Sequence, residues 1–158
     1  MKSIYVCLIS ILFLASCTQP TEPINEEKSE TVEEKSEDQL AIEQVIQNYF
    51  DGWLTGDTTL VGSAMHSSCH LKFERDGKIQ MRNRTEYLSG FQPRPRLENA
   101  EGRIISIDIT RTAAEAKIEL EIETRIFTDY FNLLKEGDRW YITDKVSTSI
   151  SKETDEGK

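Results

Sequence analysis

The stretch AAEAKIELEIE, residues 113–123, constrains the fold more than any other. Ala114, Ala116, Ile118, Leu120 and Ile122 alternate with Glu115, Lys117, Glu119, Glu121 and Glu123. A period of two is the mark of a strand with one face buried and one face wet. Such a strand needs hydrogen-bonding neighbours at its edges and an apolar cover on its buried face. The neighbours are at hand: Arg103 to Thr110 is rich in isoleucine, and Ile126 to Lys135 and Trp140 to Ser147 flank the turn EGD. The cover comes earlier, in EDQLAIEQVIQNYFDGWLTGD. There Leu40, Ile42, Val45, Ile46, Tyr49, Phe50, Trp53 and Leu54 recur near a period of 3.6, as on an amphipathic helix. Asp38 is the expected N-cap and Gly56 the expected stop.

Between cover and sheet lie shorter elements. Thr58 or Thr59 can cap a second helix running through Met65. Cys69, Leu71 and Phe73 alternate with His70, Lys72 and Glu74, a further strand, and Asp76-Gly77 signals a hairpin. Asn83 and Glu86 have capping-box spacing and predict a third short helix, followed by the loop QPRPRLENAEG. Helices followed by an antiparallel meander indicate an α+β domain over residues 39–150, with one core.

The chain begins with Lys2, an apolar run from Ile4 to Leu14, and then Leu14-Ala15-Ser16-Cys17. The run is shorter than the roughly 20 residues a membrane-spanning helix needs, and a charged start with small residues at its end describes a secretory signal. The cysteine after small residues resembles the bacterial lipoprotein lipobox. That implies a signal peptide over 1–16, cleavage before Cys17, and lipid on its thiol. Thr18 stands where an Asp would favour inner-membrane retention, so the outer membrane of the cell envelope is the expected site, facing either periplasm or surface.

Residues 17–38 read as the lipidated cysteine and an acidic linker. From Thr18 to Asp38 there are eight acidic and two basic residues and almost nothing apolar, too little to offset the entropy of ordering. Residues 151–158 are a polar tail. The whole chain carries −9, whereas residues 39–150 hold 14 Lys plus Arg against 17 Asp plus Glu. With no basic stripe, nucleic acid is not an expected partner.

AMHSSCH, from Ala64 to His70, holds both histidines and the only cysteine beyond residue 17. In extended structure His66 and His70 lie about 13 Å apart, too far to share an ion. No further Cys or His completes a zinc set, so no metal and no cofactor are expected. Cys69 falls with Leu71 and Phe73 as a buried thiol. With Cys7 removed and Cys17 acylated, it has no disulfide partner in the mature chain.

YFDGWLTGD, AMHSSCHL and IFTDYFNLLKEGDRWYITDKV together resemble the nuclear transport factor 2-like superfamily, and within it the putative lumazine-binding family. The carriers are Tyr49-Phe50-x-Gly52-Trp53, His66, Phe127-Thr128-Asp129-Tyr130, Trp140-x-Ile142 and Lys145. Ser67-Ser68 departs from the Pro-Asp pair usual there. The resemblance implies a cone: a curved sheet wrapped around helices, with a pocket opening inside. It also implies a fold that often dimerises through its open sheet face. It implies no settled activity, because this fold hosts enzymes and binders alike.

Alternation places Asp129 with Phe127, Phe131 and Leu133, and Asp144 with Trp140, Ile142 and Val146. A carboxylate on an apolar face is costly unless paired or facing a wet pocket, and an apolar pocket suits it to general-base work. The alternative to a pocket role is an ion pair with Lys145 or Arg125, or placement at a frayed strand end; strict alternation puts Lys145 on the other face, so pairing with it would require a bulge or an edge approach. Tyr49 and Trp53, four apart, share a helix face.

The expected pocket residues are Tyr49, Trp53, His66, Asp129 and Tyr130. The leading expectation is an envelope lipoprotein that binds a small molecule or an envelope protein in its cone, without catalysis. One alternative is an isomerase- or dehydratase-like enzyme with Asp129 as base and His66 or Tyr130 as polar partner. The other is an interaction module whose cone is filled by Tyr49, Phe131 and Trp140. A homodimer is compatible with all three.

Overall fold

The computed structural model describes residues 35–152. The signal segment, Cys17, most of the linker and the tail from residue 153 lie outside the described residues.

Helix α1 spans Glu37–Thr55 and buries Ile42, Ile46, Tyr49, Phe50 and Leu54. Its cap is Ser36, whose hydroxyl accepts from the Gln39 amide at 3.2 Å, rather than the expected Asp38. Asp38 is drawn elsewhere: its carboxylate accepts from Lys135 Nζ at 2.7 Å and from Trp140 Nε1 at 2.9 Å. Gly56 ends the helix as expected, at φ 69°, a left-handed turn that favours glycine. Helix α2 (Thr58–Ala64) is capped by Asp57, one residue before the expected threonine, because its carboxylate reaches the amides of Thr59 and Leu60. Helix α3 (Arg84–Leu88) has the reciprocal Asn83–Glu86 capping box that the spacing predicts.

Six strands follow the helices or lie between them: β1 Met65–Arg75, β2 Lys78–Asn83, β3 Glu101–Thr110, β4 Ala113–Ile122, β5 Arg125–Glu136 and β6 Arg139–Ser151. They form one curved, open sheet in the order β2-β1-β6-β5-β4-β3. The β3 to β6 run is the antiparallel meander read from the sequence. Strand β1 joins it parallel to β6, so the sheet is mixed. The Asp76-Gly77 turn joins β1 to β2 with both residues at positive φ, 55° and 73°.

One irregularity reassigns two side chains. On β5, Asn132 and Leu133 are consecutive, yet they face Asp144 and Ile142 of β6. Thr143 is therefore an extra residue, a β-bulge, and its hydroxyl donates to the Asn132 carbonyl at 3.0 Å. Beyond the bulge the alternation of β6 is inverted. Lys145, expected outside, is 3% exposed and faces α1. Asp144, expected on the apolar face with Trp140 and Ile142, lies on the outer face, where Lys72 Nζ holds both its oxygens at 2.7 Å. Val146, expected inside, is exposed.

The core lies between α1 and the inner sheet face. Ala116, Ile118 and Leu120 of β4, Phe131 and Leu133 of β5, and Trp140 and Ile142 of β6 meet Ile42, Ile46, Tyr49 and Leu54 of the helix region. Each fully buried large side chain contributes about 1.5–3 kcal/mol from area removed from water. Cys69 belongs to this layer, and burial pushes its thiol up to about 12.

Candidate functional site

The cone is closed at one end and open at the other. Tyr49, Phe131 and Trp140 plug the closed end and are essentially inaccessible. Tyr49 meets Phe131 edge-on, with ring centroids 5.0 Å apart. The open end keeps a cleft of about 400 Å³, within the range of small-molecule pockets.

The cleft floor is an ion pair. Asp129 and Lys145 are 1% and 3% exposed and form a salt bridge. Ser147, directly opposite Asp129 in the β5–β6 ladder, donates to its Oδ1 at 2.5 Å. The Lys145 ammonium also sits 5.7 Å from the ring centres of both Tyr49 and Phe131. Burial holds the Lys145 ammonium below the ordinary lysine range, while Asp129 beside it opposes that shift. Tyr49 and Tyr87 join their hydroxyls at 2.7 Å behind this floor, and burial pushes both phenols up.

The walls mix aromatic and polar side chains. Trp53 of α1 packs against Phe127 of β5 with centroids 5.6 Å apart. Phe73 and Leu71 of β1, Leu120 of β4 and Tyr87 of α3 complete them. Ser147 and Ser149 line one side, because β6 continues beyond its expected end at Ser147 and turns alternate hydroxyls inward. Arg75, Arg82 and Arg125 stand at the mouth, their guanidinium carbons 5.3, 5.4 and 5.9 Å from the Phe73, Phe73 and Phe127 ring centres.

Of the residues expected to share a pocket, Trp53 and Asp129 do line this cleft. Tyr49 lies beneath it, fully buried, reaching it only through Tyr87 and Lys145. His66 and Tyr130 are on the opposite face of the sheet. Tyr130 adjoins Asp129 on β5, and consecutive strand residues point to opposite faces, so its ring is 41% exposed beneath Lys117. His66 falls where the β1–β6 register shifts between Met65 and His70. Its ring meets outer-face Tyr141 at 5.8 Å, and its Nδ1 is 2.7 Å from Ser68 Oγ. The grouping of Asp129 as base with His66 or Tyr130 as polar partner is thus corrected: the sheet separates them. Among the described residues, no three His, Cys, Asp or Glu side chains gather closely enough to hold a metal ion.

Sequence reasoning missed Phe73, Arg82, Arg125, Lys145, Ser147 and Ser149 as cleft residues. Phe127 and Lys145 were visible as motif positions but not as lining. For the serines a signal existed, since Ser147, Ser149 and Ser151 alternate where an apolar inner face would be expected.

A family model described as putative lumazine-binding matches residues 37–147. Among solved structures, a nuclear transport factor 2-like protein of unknown function from Shewanella baltica is 28% identical, with a TM-score of 0.66. The alignment covers 74% of this chain and 98% of that one. A nuclear transport factor 2-like protein from Methylobacillus flagellatus is 25% identical over 73% of this chain and 94% of that one, with a TM-score of 0.61. A ketosteroid isomerase-like protein from Erwinia carotovora atroseptica aligns over 75% of this chain and all of its own, with a TM-score of 0.58, but at 14% identity it speaks for the fold alone. No curated protein matches the chain.

Proposed function

We propose, for a chain that belongs to the putative lumazine-binding family, that the cleft above the Asp129–Lys145 pair binds a small molecule without transforming it. We propose too that lipid on Cys17 tethers the domain to the bacterial cell envelope, at the outer membrane. The observation that carries the binding reading is the state of Asp129. Its carboxylate already accepts from Ser147 and is neutralised by a buried ammonium. Both oxygens of this carboxylate are engaged, and His66 and Tyr130, the polar partners a proton abstraction there would call on, lie across the sheet. An intact polar floor beneath aromatic walls suits recognition: a few fixed polar groups orient a ligand whose body is held by apolar contact.

Native mass spectrometry of the protein purified from its own host tests this. A co-purified small molecule that is lost in Trp53→Ala supports binding. No bound species, together with no thermal shift across a broad ligand library, overturns it. For the tether, Cys17→Ala should move the protein from the membrane fraction to the soluble fraction; unchanged partitioning would sink the lipid claim.

The outer face carries exposed Tyr130, Leu134, Val146 and Ile150. That face is the proposed seat of a homodimer, leaving the cleft free, and sedimentation at graded concentrations reads it.

A further inference from the structure

We propose that the ligand of this cleft is an anion: a small planar ring system bearing a carboxylate, phosphate or similar acidic group. Its ring lies between Trp53, Phe73 and Phe127, and its acid group meets Arg82 and Arg125 at the mouth. This rests on the reading of the cleft as a ligand site and adds the chemistry of what enters it.

The charges lining the cleft are Arg75, Arg82, Arg125 and Lys145 against Glu74 and Asp129. Counting the pairs separately sharpens the contrast. Asp129 is satisfied by Lys145 and Ser147. Glu74 turns its carboxylate to the Gly77 amide in the hairpin. The three arginines have no carboxylate partner among the described residues, although Arg96 and Arg103 of the same domain do. The lining therefore carries four cations against two carboxylates, a net positive charge, on a chain that carries −9 overall.

The arginines are also ordered in the right way. Each guanidinium lies over an aromatic ring of the wall, Arg75 and Arg82 over Phe73 and Arg125 over Phe127. None of the three guanidiniums is engaged by a carboxylate among the described residues, and a guanidinium fork fits carboxylate or phosphate oxygens two at a time. Arg125 further leans on Ser149 Oγ at 3.3 Å. Donors held in place before the ligand arrives lose less freedom on binding. The same two phenylalanines that carry the arginines face the cleft, so one ligand can touch ring and guanidinium together.

Two fluorescent probes differ only in the charge at issue. 8-Anilinonaphthalene-1-sulfonate is the sulfonated, anionic derivative of N-phenyl-1-naphthylamine, an aromatic amine that is neutral at pH 7. Titration into the full-length protein at low salt should give saturable binding of the anion about tenfold tighter than of the neutral probe, the scale of a charge-assisted contact. Arg82→Gln/Arg125→Gln should bring the anion to about the affinity of the neutral probe and leave the neutral probe unchanged. Arg139→Gln, a stacked arginine on the outer face, should change neither. Added salt should weaken the anion alone.

Equal binding of the two probes overturns the anion assignment and leaves the cleft as a binding site. An unchanged anion affinity in the double arginine variant, with its melting temperature preserved, also overturns it. Saturable binding of neither probe removes the cleft reading itself.

Discussion

Lys145→Met isolates the ion pair at the cleft floor. Methionine keeps the length and apolar stem of lysine and can still lie against Tyr49 and Phe131, so the change is chiefly the loss of the ammonium. Asp129, 1% exposed, would then keep only Ser147 as a partner. Breaking a buried pair from one side costs about 3–5 kcal/mol, because the remaining charge has neither water nor counter-ion. In a domain of this size that corresponds to a fall in melting temperature of about 10–20 °C. Removing both charges should cost far less, so Asp129→Asn/Lys145→Met should lie within about 1 kcal/mol of the wild type. The assay is urea unfolding followed by the fluorescence of Trp53 and Trp140, completed as a double-mutant cycle. Asp129→Asn adds a check on sign. It strands the lysine instead, whose folded pKa already sits below its unfolded value because of burial. The unfolded state then binds more protons between those two values, so the stability of Asp129→Asn should rise as pH is raised toward 10. A loss below about 1 kcal/mol in Lys145→Met would refute the reasoning, as would additive costs across the cycle. Either result would mean that water in the cleft already solvates the pair.

Gly52→Ala should destabilise by about 1–2 kcal/mol although alanine is the better helix former, because a methyl there would lie 2.6 Å from the Val61 nitrogen and 2.7 Å from its Cγ2; a gain in urea midpoint would contradict that contact. Asp38 is held below the usual carboxylate range by its bonds from Lys135 and Trp140. Its contribution is therefore present above the unfolded value near 3.9 and is lost as pH falls through the folded one. Melting temperature should drop less steeply between about pH 5 and pH 2 in Asp38→Asn than in wild type, and superimposable slopes would dismiss the bond. Cys69, with its thiol pushed up to about 12, should resist aromatic disulfide reagents at pH 8 in the native protein and react at once in denaturant; rapid native labelling would refute its burial.

The fold was legible because its signals are local. The alternation of Ala113 to Glu123, the 3.6-period face of α1, the Asn83–Glu86 box and the Asp76-Gly77 turn each declare an element without knowledge of any other. Caps were less legible: Asp38, Asp57 and Ser36 can all accept from helix amides, and which one does depends on what else competes for it. Asp38 left the cap role to Ser36 because a lysine and an indole from the far end of the chain claimed it.

The site was legible only in part. Two of the five expected lining residues, Trp53 and Asp129, are where alternation and helix phase put them. The partner of Asp129 was legible only as one conditional possibility, since strict alternation sends Lys145 outward and Asp144 inward. A single inserted residue reverses both assignments, because a strand's side-chain period is two and any odd insertion exchanges its faces. Nothing in the string WYITDKV marks Thr143 as extra; that is a property of its register against Asn132 and Leu133, ten residues upstream in a different strand. The chemistry of the reading turned on that exchange. With Lys145 outside, Asp129 would be a lone carboxylate on an apolar face, the environment that raises a pKa and makes a base. With Lys145 inside, the same carboxylate is neutralised and hydrogen-bonded, and its role becomes that of a fixed polar floor. A one-residue bulge thus separates two readings of the site for an otherwise unchanged set of side chains.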